Sequence, residues 1–108
     1  SVVQYFENQK LEIQSIILST DPKWIVVSDA MIGNIESFVT MQNYYGKKIP
    51  FWFTNQNEFN EIMYQMNYSL VLEENFWHEK THIYFPQSSL PKENQITNSK
   101  NLIYLRND

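Results

Sequence analysis

The stretch from Lys23 to Trp52 most limits the folds open to this chain. It begins with an apolar run, Lys23–Ser28, in which Trp, Ile and two Val residues follow one another. A continuous apolar run of strand length, rich in β-branched residues, predicts a β-strand covered on both faces. The segment from Asp29 to Trp52 shows no clear periodicity, and its many apolar and aromatic residues argue against disorder. We therefore predict a long ordered loop that forms the lip of a binding crevice in an open α/β sheet.

Composition limits the class of protein. The chain has 108 residues, of which 43% are hydrophobic, so it supports one globular domain. Its net charge is −4 with scattered basic residues, which argues against a nucleic-acid partner. The absence of cysteine excludes disulfides and thiolate chemistry. No apolar run reaches membrane-spanning length and no signal peptide is evident, so we predict a cytoplasmic protein without a membrane partner.

Two helices are predicted from their caps and apolar spacing. Asn8 caps the first, Gln9–Ser19, which ends before Asp21-Pro22. Thr54 or Asn55 caps the second, and Asn55 with Glu58 resembles a capping box. The second helix has one apolar face at helical spacing, formed by Phe59, Ile62, Met63 and Met66. Asn67 is expected to end it in a left-handed conformation.

Three further strands follow in the sequence. Tyr68–Glu73 and Asn101–Arg106 have strand-like patterns, and Thr81–Phe85 alternates well enough for a short extra strand. Gln87–Ser99 is polar and turn-like. The two late strands have no helix between them, which favours antiparallel pairing. The elements together predict an α/β domain.

Several short motifs resemble those of a known family when taken in order. They are Ser1-Val-Val-Gln-Tyr-Phe6, Thr40-x-Gln42, Ile49-Pro-Phe-Trp-Phe53, Glu58-Phe59 and Asn67-Tyr68. This order is similar to the C-terminal half of a bacterial family of class I S-adenosylmethionine-dependent methyltransferases. The apolar opening without an initiator Met also reads as the end of a strand, so we expect a fragment of a longer protein.

The resemblance implies a Rossmann-like half-fold. Lys23–Ser28, Asn101–Arg106 and Tyr68–Glu73 would form a small mixed sheet, with the last strand of the chain in the middle and antiparallel to its neighbours. Both helices would lie on one face of this sheet. The other face would be exposed, and we expect a homo-oligomer to form through it.

The resemblance also implies S-adenosylmethionine as the cofactor of the parent protein. The chain has only Gly33 and Gly46, and so it lacks the glycine-rich loop that holds this cofactor. We expect the acceptor-side half of the enzyme, inactive alone, from a parent that methylates a small molecule or a glycan. Gln4 and Tyr5 would touch the cofactor by resemblance.

The polar candidates for chemistry lie after the first strand. Asp29 is placed to act as a catalytic base, although a turn residue ending a strand is the simpler interpretation. Thr40 and Gln42 could orient the acceptor or the cofactor carboxylate, or instead satisfy the backbone of their own loop.

The aromatic candidates are Tyr44, Tyr45 and Trp52. They could stack on a sugar or an aromatic acceptor. Alternatively they could simply be core residues, because aromatic side chains dominate burial in general.

Two alternative functions stay open. His78-Glu-Lys-Thr-His82 matches the HExxH zinc-hydrolase motif, in which both imidazoles would bind zinc and Glu79 would activate water. Lys80 and the strand-like residues after it favour two exposed histidines in a connector, and hence no metal site. The other alternative is a non-catalytic module that binds a carbohydrate or a protein through its aromatic loop.

Overall fold

A computed structural model describes residues 3–76, 90–96 and 98–108 of the chain, with Tyr44 described in its backbone alone. Within these ranges the elements are a 3₁₀ turn Val3–Tyr5, α1 (Gln9–Thr20), β1 (Trp24–Ala30), β2 (Ile32–Gly33), β3 (Phe38–Tyr44), β4 (Lys47–Asn55), α2 (Gln56–Gln65), β5 (Tyr68–Phe76), a 3₁₀ turn Lys92–Asn94 and β6 (Ser99–Arg106). The predicted α/β class is therefore confirmed. The predicted extra strand Thr81–Phe85 and the HExxH residues lie outside the described ranges.

Helix α1 begins and ends as its capping residues dictate. The Asn8 side chain accepts a hydrogen bond from the Leu11 backbone N–H at 3.1 Å. At the other end Asp21 is left-handed (φ 43°), and its N–H bonds the Ile17 carbonyl at 2.8 Å. The helix extends through Thr20, one residue beyond the predicted end.

Helix α2 confirms its predicted cap and face. Asn55 is the N-cap, and its side chain accepts from the Glu58 N–H at 3.0 Å. Phe59 and Met63 are buried, as a helix with one apolar face requires. Asn67 has the expected positive φ of 73°. Neither helix is long and apolar enough to span a bilayer, and the same holds for every helix in the described part of the chain.

The first sheet has the order β1–β6–β5, so the last strand of the chain lies in the middle. Strand β6 is antiparallel to both neighbours, with Val27 opposite Leu102 and Leu70 opposite Tyr104. This is the predicted arrangement, except that each neighbouring pair is antiparallel and the sheet is not mixed. Strand β5 runs on to Phe76, beyond the predicted Glu73, and β6 starts at Ser99, two residues before the predicted Asn101.

The prediction of an irregular loop from Asp29 to Trp52 was wrong. This region holds β2, β3 and most of β4, and it forms a second sheet of order β2–β4–β3. Strands β3 and β4 form a hairpin closed by Tyr45-Gly46, both with positive φ. A two-residue turn with two positive φ angles matches the right-handed twist of the strands in a hairpin. Its usual sequence is Asn-Gly or Asp-Gly. One face of β3 carries Thr and Gln together with apolar residues. The alternation of polar and apolar residues that would indicate a strand is therefore not visible in the sequence.

The prediction that the first strand is covered on both faces was also wrong. Val27 is 9% exposed, whereas its neighbour Val26 is 62% exposed. Successive side chains of a strand point to opposite faces. The helices therefore cover one face of β1, called the inner face, and leave the outer face with Trp24 and Val26 in solvent.

Two apolar clusters hold the sheets. The first contains the inner face of the first sheet and the buried side chains of both helices, including Ile13, Ile17, Phe59, Met63, Leu102 and Tyr104. Both helices thus lie on one face, as predicted. The second cluster joins the hairpin to the chain before β6, with Met31, Ile35, Phe51, Phe53 and Ile96.

Candidate functional site

A cleft of about 230 Å³ lies where the N-terminal ends of both helices meet β4. We call it the Trp52 cleft; it is lined by Glu7, Asn8, Gln9, Ser37, Trp52, Thr54, Glu58 and Ile62. Its walls combine an indole with carboxylates, amides and hydroxyls.

Gln9 fixes the wall that α1 contributes. Its amide nitrogen donates to Thr54 Oγ1 at 2.9 Å and to the Val3 carbonyl at 3.0 Å. Thr54 Oγ1 donates in return to the Gln9 side-chain oxygen at 3.1 Å. Because Thr54 is buried in β4, these bonds hold the start of α1 against the second sheet.

Ser37 fixes the wall that α2 contributes. The Asn55 backbone N–H donates to Ser37 Oγ at 2.8 Å, and the Ser37 hydroxyl donates to Glu58 Oε2 at 2.7 Å. In an ordinary capping box the side chain at Glu58 would reach the N-cap N–H directly. Here the Ser37 hydroxyl bridges the Asn55 backbone N–H and the Glu58 carboxylate. It thereby holds the Glu58 carboxylate at the cleft.

The cleft suits a small polar ligand. Within the described ranges, the Glu7 carboxylate and the Trp52 indole nitrogen have no hydrogen-bond partner. The volume lies below the roughly 300–1,000 Å³ of sites for drug-sized ligands. A ligand of monosaccharide size can place an apolar ring face on the indole and hydroxyls on the carboxylates.

The predicted acceptor residues are divided between the two faces of the hairpin. Trp52 lies opposite Val39 and lines the cleft. Thr40 pairs with Phe51, and it shares with Gln42 the other face of β3. The structure therefore brings Trp52 to the cleft but leaves Thr40 and Gln42 outside its lining.

The predicted cofactor residue Tyr5 contacts the predicted acceptor residue Gln42. The Tyr5 hydroxyl donates to Gln42 Oε1 at 3.0 Å. The Tyr5 ring meets Phe51 edge-on, with 5.6 Å between ring centroids. These contacts fasten the N-terminal 3₁₀ turn to the hairpin. Gln4, the other predicted cofactor residue, is 9% exposed.

Asp29, the predicted base, lies at an irregularity of β1 and outside the cleft lining. The pairing of β1 with β6 shifts between Val27 and Ala30, and Asp29 has a φ of 51°. Its carboxylate accepts from the Ser99 hydroxyl at 2.6 Å, and its N–H donates to Asn101 Oδ1 at 2.8 Å. These contacts show a structural role in joining β1 to β6, and catalysis by Asp29 stays a prediction.

The other two aromatic candidates lie at the end of the hairpin. Tyr44 closes β3 opposite Lys47, and Tyr45 occupies the turn with 89% of its surface exposed. Tyr45 does not line the cleft.

The described residues contain no group of three or more His, Cys, Asp or Glu side chains able to hold a metal ion. His78, Glu79 and His82 lie outside the described ranges, so the zinc alternative stays a prediction.

Of the eight lining residues the sequence predicts only Trp52 as a site residue, and it misses the other seven: Glu7, Asn8, Gln9, Ser37, Thr54, Glu58 and Ile62. The sequence predicts Asn8 and Glu58 only as capping residues. Asn8 and Glu58 share one sequence feature, which is that each lies at the start of a helix. Carboxylate and amide side chains are common at helix N-termini. Nothing in the sequence pattern brings the two helix starts together; the second sheet does so. No family model, curated protein or solved structure matches this chain.

Proposed function

We propose that this chain is the acceptor-side part of an S-adenosylmethionine-dependent methyltransferase, and that the Trp52 cleft binds its small-molecule or glycan acceptor. The observation that carries the proposal is the cleft itself. It places the Trp52 indole beside the Glu7 and Glu58 carboxylates at the junction of two helix starts. Aromatic and hydrogen-bonding groups in one small cleft are what a polar acceptor needs.

The strand order supports the methyltransferase part of the proposal. The resemblance implies a last strand between two others and antiparallel to both, and β6 has that position. The resemblance also implies helices on one face only, which agrees with the shared apolar cluster of α1 and α2.

The described residues do not form a site for the cofactor. Gly46 lies in the hairpin turn, and Gly33 packs against Ile96, with 3.6 Å from the position of a Cβ to its side chain. The Tyr5 hydroxyl is already bonded to Gln42. We therefore expect no binding of S-adenosylhomocysteine by this chain alone.

The chemistry assigned to this chain is positioning of the acceptor. Methyl transfer is an in-line displacement, so holding the acceptor atom in place supplies much of the rate. The Glu7 and Glu58 carboxylates can accept hydrogen bonds from acceptor hydroxyls, and the indole limits the direction in which the acceptor enters. A non-catalytic carbohydrate-binding module would use the same cleft without any methyl transfer.

Calorimetric titration with a panel of neutral monosaccharides tests the binding part. We expect binding that Trp52→Ala abolishes and Trp24→Phe leaves unchanged, because Trp24 lies on the outer face of the other sheet. Absence of heat with every sugar at tens of millimolar, or equal binding by Trp52→Ala, would overturn the assignment of this cleft.

Sequencing the gene upstream of the Ser1 codon tests the methyltransferase part. We expect a strand, a Gly-x-Gly turn and an acidic residue about 20 positions further on. Sugar binding without this upstream half would favour the binding module instead.

A further inference from the structure

The charged side chains that line the Trp52 cleft all have the same sign. Glu7 and Glu58 are its acidic lining residues, and its lining includes no Lys, Arg or His. No ion pair within the described part of the chain includes either carboxylate. The negative charge of the cleft is therefore not compensated by a basic side chain of those residues.

Capping of the two helices does not occupy these carboxylates. Glu7 lies just before the N-cap Asn8, and Glu58 is the third residue of α2. The capping hydrogen bonds are made by other groups, because the Asn8 and Asn55 side chains accept from the helix N–H groups. The Asn55 N–H, which Glu58 would accept in an ordinary capping box, donates to Ser37 instead. Since a carboxylate has about four acceptor sites, both carboxylates can still accept hydrogen bonds from a ligand.

The helix dipoles offset only part of the negative charge. Each helix N-terminus is equivalent to roughly half a positive elementary charge, so the two helix starts together supply about one. The Glu7 and Glu58 carboxylates carry two negative charges. About one net negative charge remains at the cleft, which favours a ligand with a single positive charge over a neutral or anionic ligand.

The Trp52 indole provides a second attraction for a cation. An ammonium group within about 6 Å of an aromatic ring centroid is attracted to the ring face, and indole is the strongest of the aromatic rings in this respect. Trp52 is partly buried, and partial loss of water strengthens such an attraction. The cleft has a volume of only about 230 Å³, so a ligand that fills it lies beside both the indole and the carboxylates.

We propose that the Trp52 cleft selects a cationic ligand of monosaccharide size, in which a protonated amine lies next to a hydroxylated ring. The amine lies between the indole and the carboxylates of Glu7 and Glu58. The ring hydroxyls accept from the side-chain N–H groups of Asn8, whose oxygen is already used in capping. This inference rests on the proposed function, because it names the class of acceptor that the same cleft takes: an amino sugar or a similar hydroxylated amine.

Calorimetric titration of the full chain with D-glucosamine, D-glucose and N-acetyl-D-glucosamine tests the preference, below neutral pH where the amine of glucosamine is protonated. The three sugars differ at one ring carbon, which carries an ammonium, a hydroxyl or a neutral amide. We expect glucosamine to bind about tenfold more tightly than either neutral sugar. The difference should shrink in concentrated salt, because the Debye length falls from about 30 Å at about 0.01 M to about 3 Å at about 1 M.

The variants Glu7→Gln and Glu12→Gln form a matched pair. Each removes one negative charge, and Glu12 is an exposed residue of α1 outside the cleft lining. Glu7 is exposed and belongs to no ion pair within the described ranges, so its replacement should not disturb folding. We expect Glu7→Gln to lose most of the preference for glucosamine while it keeps its affinity for glucose. Glu12→Gln should behave as wild type.

The results distinguish the cation preference from the acceptor site itself. Equal binding of glucosamine and glucose, both abolished by Trp52→Ala, would overturn the cation preference alone. An equal loss of preference in Glu7→Gln and Glu12→Gln would also overturn it, because general attraction to the net charge of −4 would then explain the binding. Absence of heat with all three sugars, or binding that Trp52→Ala leaves unchanged, would overturn both the preference and the acceptor site.

Discussion

Replacing Ser37 with Ala should destabilise the protein by more than a surface serine normally does. The hydroxyl accepts from the Asn55 N–H and donates to the Glu58 carboxylate, and both bonds are shorter than 3 Å. Alanine removes both. The N–H at the start of α2 then has no partner at that position, and the carboxylate loses the group that orients it.

The expected cost follows from the two bonds. A neutral hydrogen bond contributes about 1 kcal/mol net, and a bond to a charged group about 1.5–3 kcal/mol. Glu58 is exposed, so water replaces much of the second contribution. We expect Ser37→Ala to lower the free energy of unfolding by about 1.5 kcal/mol, which corresponds to a fall in melting temperature of roughly 6–12 °C for a domain of this size.

Urea denaturation followed by circular dichroism measures this change, with Ser19→Ala as the matched control. The Ser19 hydroxyl bonds only the Ile16 carbonyl within its own helix, and alanine favours helix, so we expect little change there. In a double-mutant cycle with Glu58→Gln, the losses in free energy of unfolding should be non-additive, because Ser37 and Glu58 are hydrogen-bonded to each other. Equal stability of wild type and Ser37→Ala, or strict additivity with Glu58→Gln, would refute the reasoning.

Three other perturbations test separate parts of the fold. Tyr104→Phe should cost about 1 kcal/mol in urea denaturation, because the buried hydroxyl donates to Asn60 Oδ1 at 2.6 Å; no loss would contradict that bond. The hydrogen bond from Lys100 holds the pKa of Glu73 below its usual range, so its stabilisation is present above the ordinary glutamate pKa and is lost as the pH falls through the lowered value. The stability difference between wild type and Glu73→Gln should therefore shrink between neutral and strongly acidic pH, and a constant difference in denaturation across that range would contradict this. Gly46→Ala should cost about 1 kcal/mol in melting experiments through its φ of 76° alone, since a Cβ there meets nothing within 4 Å; an unchanged melting temperature would exclude strain at the turn.

The predictable parts of the fold are those decided by local chemistry. Asn8 and Asn55 mark both helix starts because their side chains satisfy backbone N–H groups within one turn. Phe59 and Met63 are four residues apart and both are buried, so they identify the face of α2 that packs in the core. The antiparallel position of β6 was expected from the resemblance and from two late strands without a helix between them.

The hairpin and the cleft depend on contacts distant in sequence. Tyr45 adopts a positive φ although its residue type gives no sign of it, so the sequence does not reveal the turn that divides this region into β3 and β4. Gln9 and Thr54 meet across the sheet boundary, and no local pattern in either segment indicates this pairing. Trp52 was identified by residue type, but the carboxylates beside it reach the cleft only through that tertiary arrangement.

The most direct test of the proposed binding site is a ¹⁵N-correlated NMR titration of the chain with the monosaccharide that gives the largest heat. We predict that the Trp52 indole N–H and the side-chain amides of Asn8 and Gln9 shift together along one binding curve, while the Trp24 indole does not move. Shifts confined to Ile13, Ile17 and their neighbours beneath α1, or no shift at Trp52 at saturation, would contradict binding in the Trp52 cleft.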